Sequence, residues 1–504
     1  MTVSVTYQQI KMTDKAQTPS FQPYTLTPLD HLLPPYHVFA YMSFRPEQPS
    51  EAVVAIELGL SGLISQWPFL AGNVARVQKE DRRNISELQP PTASDLHQCP
   101  MLNIKHHQHT ISDALASPVI NYEMLHIPTT VSNSQPIPAV RFQANVMRDG
   151  LILCLAWHHQ VMDSVGVTVI LHALSRFCSG PGRKSAAPRR LPMNLEKEEQ
   201  TRRRINKTTT NSNHDLEDAY HKIRYDYGLH EYQSKSVICR RYTMHTDRVN
   251  CLKNSCNNLA HEFGKGHSMS QENSPIDSQY KIDNISSDDV VTALVWLCVS
   301  RARRRVASKL SSDLPRVSSL SRCMEVRSII QPPLPRSYLG NSLVLAKTQC
   351  DWKDIPTPQE ATLVTRKRMD EETINALLKL ALMSRAKCNS VHDEQIRGLI
   401  GRVEECDGDS TVCGAPAGVT MSSLRKANIF ASDWGTKLGP LLDFDTMDCR
   451  IDGMILILPD KNPSKRGESA WEVRVNLSVE VMEEFGKDEL LLWVTEAEKP
   501  GARL

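Results

Sequence analysis

Apolar spacing along the chain alternates between helical and strand-like segments. EAVVAIELGLSGLISQW (Glu51 to Trp67) places apolar residues at helical intervals and stops at Pro68. FLAGNVARV follows, a turn entering a strand. Val140 to Val146 and Leu151 to Trp157 are apolar runs separated by MRDG, and Asp149–Gly150 between them predicts a hairpin. LILCLAW has no charge and no strong turn former, the character of a strand buried on both faces. After it Val165, Val169, Ile170, Ala173, Leu174 and Phe177 line one face at helical spacing.

The pattern breaks at Ser179. SGPGRKSAAPRRLPMNLEKEEQTRRRINKTTTNSN, as far as Asn213, is rich in Pro, Gly, Ser and charge and nearly devoid of large apolar residues. Such a stretch reads as a solvated linker or mobile crossover, although its arginines could hold an anion. A strand at Ser236 to His245 and a helix resume the pattern, and Gly264 to Tyr280 looks like a polar surface loop. Ser286-Ser287-Asp288-Asp289 has the composition of a helix start. The helix VVTALVWLCVSRARRR then ends in Arg301, Arg303, Arg304 and Arg305, a placement that suits the helix dipole, although the cluster could also face a phosphate. A strand at Gly453 to Pro459, another at Trp471 to Leu477 and a terminal helix close the chain. No internal repeat is visible.

A length of 504 residues favours two domains or one very large one. Lys plus Arg is 59 against 57 for Asp plus Glu, which argues against a dedicated nucleic-acid or membrane-surface protein. Aromatic residues at 6% disfavour a base-stacking surface. The 13 cysteines are scattered singly with no C-x-x-C, and several lie in apolar runs, as Cys154 and Cys298 do. They read as small core residues in a reducing compartment. The N-terminus is polar, and the longest apolar stretch, Val290 to Val299, is half the ~20 residues of a membrane span. A soluble cytoplasmic protein is expected.

A histidine with an aspartate four residues on occurs three times: His109–Asp113, His159–Asp163 and His214–Asp218. The first and last sit in polar surroundings that do not desolvate a base. His159 sits where the buried strand ends and the helix begins, a position where α/β proteins gather ligand sites. A histidine there titrates near neutrality and can take a proton from a hydroxyl. Asp163 can orient the loop by bonding backbone or by pairing with an arginine, and Gly166 permits a turn or a close approach. Equally open on local grounds are two core-edge histidines with a helix-capping aspartate. A metal would need a third ligand, and no H-E-x-x-H or Cys/His cluster supplies one.

HHQVMD resembles the H-H-x-x-x-D motif of CoA-dependent acyltransferases of the BAHD type, and the chain resembles the fungal branch that includes trichothecene 3-O-acetyltransferase. Further motifs agree in order along nearly the whole chain. LTPLDHLLP is similar to L-S-x-x-D, WPFLAGNV to Y-P-x-L-A-G-R, and ISSDDVVTALVWLCVSRAR to the helix ending W-x-x-x-x-R-A-R. CMEVRSIIQPPLPRSYLGNSLV resembles D-x-R…P-P-L-P…Y-x-G-N, SSLRKANIFASDWGTKLGP resembles S-W-r…D-F-G-W-G-k-P, and DGMILILP with EVRVNLSVEVMEEF resembles the closing strand and helix. Departures are Ser164 and Leu424, where the family has glycine and tryptophan, Glu325 for aspartate, and a D-F-G-W-G motif reduced to Asp433–Trp434–Gly435.

The resemblance implies an α/β fold of two similarly sized chloramphenicol-acetyltransferase-like domains with mixed sheets and a channel between them. Residues 1–178 and 233–504 would be the domains and 179–232 the crossover. It implies an acyltransferase moving an acyl group, by family habit acetyl, from acyl-CoA to a hydroxyl (or amine) of a secondary metabolite in a ternary complex. His159 would be the base. Asp163 would pair with Arg327, for which Arg322 is a rival. Asp433, Trp434 and Gly435 would support the site from a distance. Acyl-CoA is a co-substrate here, with no resident cofactor or metal, and the implied state is a monomer without nucleic-acid or membrane partners. A condensation-type enzyme fed by a carrier protein shares the H-H-x-x-x-D motif, and a non-catalytic binder could keep the scaffold. The D-W-G and Y-L-G-N segments favour the first reading.

Overall fold

The computed structural model describes residues 7–8, 18–79, 82–116, 127, 137–180, 192–206, 216–224, 236–266, 284–311, 313–356, 370–407, 410–414, 418–446, 449–463 and 469–496. Two six-stranded mixed sheets organise the chain. The first runs in the order Tyr7–Gln8, Leu102–His106, Val140–Met147, Gly150–His158, His37–Phe44, Asp443–Thr446. The second runs Val237–Met244, Trp471–Ser478, Met454–Ile457, Val419–Ser423, Ser318–Glu325, Leu343–Cys350.

The motif strand, Gly150–His158, is buried at every residue. Leu151, Leu153, Leu155 and Trp157 face the main core of the first half, and Ile152, Cys154 and Ala156 face a smaller core with Phe39, Tyr41 and Ile111. Alternate side chains thus enter different apolar layers, which is why the run is continuous rather than alternating. The predicted hairpin forms, with Met147 opposite Gly150. The motif helix, Ser164–Ser179, lays Val167, Val169, Ile170, Ala173 and Leu174 into the main core beside the helix Pro49–Gln66.

In the second half the helix Ser287–Leu310 starts as expected, with Ser286 and Asp289 in a reciprocal capping box. Its length differs from the expectation. It runs on past the arginines, so they are not the terminal turn. Arg301 is buried and donates to the Pro356 carbonyl at 2.8 Å, and Arg304 donates to the Ile355 carbonyl at 2.7 Å. These side chains hold loop carbonyls instead of facing the end of the dipole.

The two halves interlock. The strand Asp443–Thr446, far along the second half, pairs antiparallel with His37–Phe44 and completes the first sheet. Its carboxylates reach the other way. Asp443 takes both terminal nitrogens of Arg241 at 2.9 Å, and Asp445 pairs with Arg241 at 3.3 Å and with Arg474. Residues of the expected 233–504 range therefore form part of the first half's sheet.

The 179–213 stretch is not wholly a solvated linker. Leu195–Ile205 is a helix, with Asn194 capping the Lys197 N–H at 3.0 Å, acids in its first turn and arginines in its last. Glu198, Thr201, Arg202 and Ile205 are buried. Ile205 joins a third apolar cluster with Leu29 and Leu32 from the N-terminal motif and Val326, Ile330 and Tyr338 from the second half. The helix is held by tertiary burial of a charged face, which composition did not reveal. Of the Gly264 to Tyr280 loop, only the first residues are described, and they close the helix Thr246–Gly266.

Candidate active site

The site grows from the end of the motif strand. The last strand residue, His158, is fully buried beside His37, with ring centroids 5.6 Å apart. Burial pushes its pKa well below the ordinary histidine range, and His37 falls to about 4 for the same reason. Both are neutral core histidines. His37 bonds the Pro138 carbonyl through Nε2 at 2.7 Å.

His159 lies one residue beyond the strand. Its N–H donates to the Tyr36 carbonyl and its own carbonyl accepts from Asn341 Nδ2, both at 2.9 Å. The backbone is pinned from two sides, while the residue as a whole keeps part of its exposure. Nδ1 is buried and has no hydrogen-bond partner among the described residues. Burial lowers the imidazole pKa; the polar backbone of His159 itself, then the Asp163 charge and the Met162 backbone, oppose that shift without cancelling it. The ring is neutral at physiological pH and so can accept a proton.

Asp163 is fully buried and caps the motif helix. Oδ1 accepts from the Val165 and Gly166 N–H groups at 3.0 Å and from Arg327 Nη2 at 2.9 Å. Oδ2 accepts from Arg327 Nη1 at 2.9 Å and from the Ser342 N–H at 3.1 Å. These five bonds all go to groups other than the imidazole. The carboxylate orders the loop rather than orienting His159 directly. Both alternatives open to it, backbone capping and arginine pairing, occur together.

Arg327 is the partner and Arg322 is not, since Arg322 pairs with Asp288 and Asp289 on the second half's long helix. Arg327 also donates to the Tyr338 and Gly340 carbonyls at 3.0 and 2.8 Å. Glu325, at the departure from aspartate, accepts from the Arg327 N–H at 2.7 Å. Gly166 has no room for a side chain, because a Cβ would lie 2.2 Å from the Leu339 carbonyl oxygen. The two ends of the loop are thus closed by the segment Tyr338–Ser342, which holds the Y-L-G-N motif and the serine after it.

The D-W-G residues sit elsewhere. Trp434 is buried in the first half's core with its ring 5.1 Å from Phe44. Gly435 has φ +81, and a Cβ there would meet Ser179 Cα at 2.7 Å. Asp433 accepts from the Gly435 N–H at 2.9 Å. These contacts pin the second half's chain against the end of the motif helix.

Of the other His–Asp pairs, Asp113 is exposed and caps Thr110 at the start of a short helix. His214 lies outside the described residues, and Asp218 is exposed. Among the described residues no group of three or more His, Cys, Asp and Glu could hold a metal.

Four residues of the loop's support carried no role in the sequence reading: Asp30, Asn341, Glu198 and Arg202. Signals existed for some. Thr27-x-x-Asp30 has capping-box spacing, and Glu198 and Arg202 are an i, i+4 acid–base pair behind a good N-cap, Asn194.

Two mixed sheets, one in each half of the chain, meet at the histidine loop, the arrangement of an α/β protein with its site between two halves. The family model described as "Transferase family" matches residues 117–492, and one for the trichothecene 3-O-acetyltransferase-like N-terminal domain matches residues 37–178. The chain belongs to the Transferase family, and it is an acyltransferase. It is similar to communesin N16 acyltransferase cnsK of Penicillium expansum, 28% identical over 95% of this chain and 98% of that one. It is 27% identical to O-acetyltransferase anaAT of Neosartorya fischeri over 94% and 96% of the two chains. The structure of F. sporotrichioides TRI101 complexed with coenzyme A and T-2 superposes with a TM-score of 0.66 at 18% identity, covering 93% of this chain and 98% of that one. No helix among the described residues is long and apolar enough to cross a membrane.

Proposed function

We propose that this acyl-CoA-dependent acyltransferase uses His159 as its general base, moving an acetyl group to a hydroxyl of a fungal secondary metabolite. The observation that carries the reading is the state of His159. Its imidazole is neutral, the residue is only partly covered, and it is held through both backbone polar groups at the end of a buried strand. The names of the relatives and the coenzyme A and toxin bound to TRI101 support the substrate classes.

In this reaction the acceptor and acyl-CoA are bound together. The imidazole takes the hydroxyl proton as the oxygen attacks the thioester carbonyl. The C–O bond forms, the carbonyl electrons pass to an oxyanion, and its collapse breaks the C–S bond. The departing thiolate takes the proton from the imidazolium, so the enzyme returns unchanged. Asp163 and Arg327 keep the loop in place, and Asp433, Trp434 and Gly435 support it from the first half's core.

An amine acceptor is the second reading, favoured by the N16 acyltransferase among the relatives. The chemistry at His159 is the same. We also infer a cytoplasmic monomer of two domains, 1–178 and 233–504, the second lending the strand Asp443–Thr446 to the first domain's sheet. Cysteines scattered singly with no C-x-x-C spacing suit a reducing compartment.

The test is incubation of the purified chain with acetyl-CoA and a panel of hydroxylated and amine-bearing metabolites, read by mass spectrometry. A gain of one acetyl group with release of CoA, and no carrier protein present, supports the reading. Transfer that requires a carrier-bound thioester rejects it in favour of condensation chemistry. An identical rate in His159→Ala rejects the proposed base.

A further inference from the structure

The loop from His159 to Asp163 rests on the segment Tyr338–Ser342, and that segment is itself held by the helix Leu195–Ile205. Glu198 Oε1 accepts from the Leu339 N–H at 3.0 Å. Leu339 is the residue whose carbonyl lies against Gly166. Arg202 Nη1 donates to Asp30 Oδ2 at 3.0 Å. Asp30 Oδ1 accepts the Asn341 N–H at 2.8 Å and its Nδ2 at 3.0 Å, and the same Nδ2 donates to the His159 carbonyl. The Arg202 guanidinium is wedged 4.6 Å from the Tyr24 ring centroid and 5.5 Å from that of Tyr338.

All of these side chains are buried. Burying two carboxylates and a guanidinium costs desolvation that an apolar face would avoid, so stability alone does not explain them. What they supply is direction: Glu198 bonds the Leu339 backbone directly, and Arg202 holds Asp30, which bonds Asn341, which in turn bonds the His159 carbonyl. Burial also moves the Glu198 carboxyl up to about 7.

We propose that Glu198 and Arg202 of the crossover helix are positioning residues for acyl transfer, acting on the His159 loop through Leu339 and Asn341. This rests on the reading of His159 as the base. Their effect is on geometry, since a displacement of about 1 Å at a reacting group costs up to ~10²-fold in rate.

The experiment compares Glu198→Leu, Glu198→Gln, Arg202→Met and Arg202→Lys in the full chain. Turnover is measured with acetyl-CoA and the acceptor found by the panel, per folded molecule. In parallel the Cε1–H signal of His159 is followed in protein labelled with ¹³C-histidine, assigned by His159→Gln; this readout needs no acceptor. Glu198→Leu and Arg202→Met are expected to lower kcat roughly 10- to 100-fold with KM for acetyl-CoA unchanged, and to displace or broaden the His159 signal. Glu198→Gln retains an acceptor for the Leu339 N–H and should stay near wild type in both. Where Arg202→Met does not fold, Arg202→Lys, which keeps the cation and loses the fork, should still displace the signal.

The proposal is overturned when the folded variants leave kcat and the His159 signal at wild type. It is also overturned when Glu198→Gln falls as far as Glu198→Leu. Should His159→Gln retain wild-type turnover, the base assignment fails instead. An inactive His159→Gln beside silent crossover variants removes the positioning proposal alone.

Discussion

Arg327 grips the Asp163 carboxylate with both terminal nitrogens at 2.9 Å, across 164 residues of sequence. The pair is buried and closes the histidine loop against the Tyr338–Ser342 segment. Its bidentate geometry makes it strong and directional.

Removing one member strands the other. Asp163→Ala leaves a buried guanidinium and uncapped helix N–H groups, and should cost about 3–5 kcal/mol of stability in urea unfolding. The double variant Asp163→Ala/Arg327→Met should lose less than the sum of the two single losses. Additive losses would show that the pair is not coupled.

His159→Ala should separate chemistry from folding. Turnover should fall by roughly 10²–10⁴-fold with the thermal midpoint unchanged. In the wild type, kcat/KM should decline as the pH drops and the imidazole becomes charged. Because burial lowers the His159 pKa, the midpoint of that decline should lie below the ordinary histidine value of 6.5. A midpoint above it would contradict the buried setting of the ring.

Glu198 should make stability depend on pH. Its carboxyl moves from 4.5 up to about 7 on folding, so the folded protein binds this proton more tightly than the unfolded chain. The stability it contributes is therefore complete below about 4.5 and is lost as the pH rises through about 7. Glu198→Gln has no such proton to lose. Its stability relative to wild type should rise over that window, by on the order of 3 kcal/mol in all. Calorimetry of the two proteins from acid to mildly alkaline pH reads the difference, and a constant gap would refute it.

Gly435→Ala should destabilise without touching the chemistry. The added methyl meets Ser179 in a left-handed backbone, which should cost about 1–3 kcal/mol. Acyl transfer per folded molecule should stay at the wild-type level, as expected of a residue that supports the site from a distance. A selective loss of kcat in a normally stable protein would move Gly435 into the reacting site.

What could be read along the chain was what neighbouring residues decide. The Asp149–Gly150 hairpin, the Ser286 helix start and the strand ending at His158 depend on turn chemistry, a local cap and an unbroken apolar run. The HHQVMD motif was legible for the same reason, and its ordered companions pointed to the family. What only the tertiary structure decided was pairing at long range. It chose Arg327 over Arg322, sent Asp443–Thr446 into the first sheet, turned Arg301 and Arg304 toward loop carbonyls, and buried Glu198 and Arg202 in a stretch that reads as linker. Hydrophobic periodicity says which side of an element is apolar, not which distant charge it will meet. A buried ion pair looks, in one dimension, like two solvated residues, because the desolvation that makes it strong exists only once the chain has closed around it.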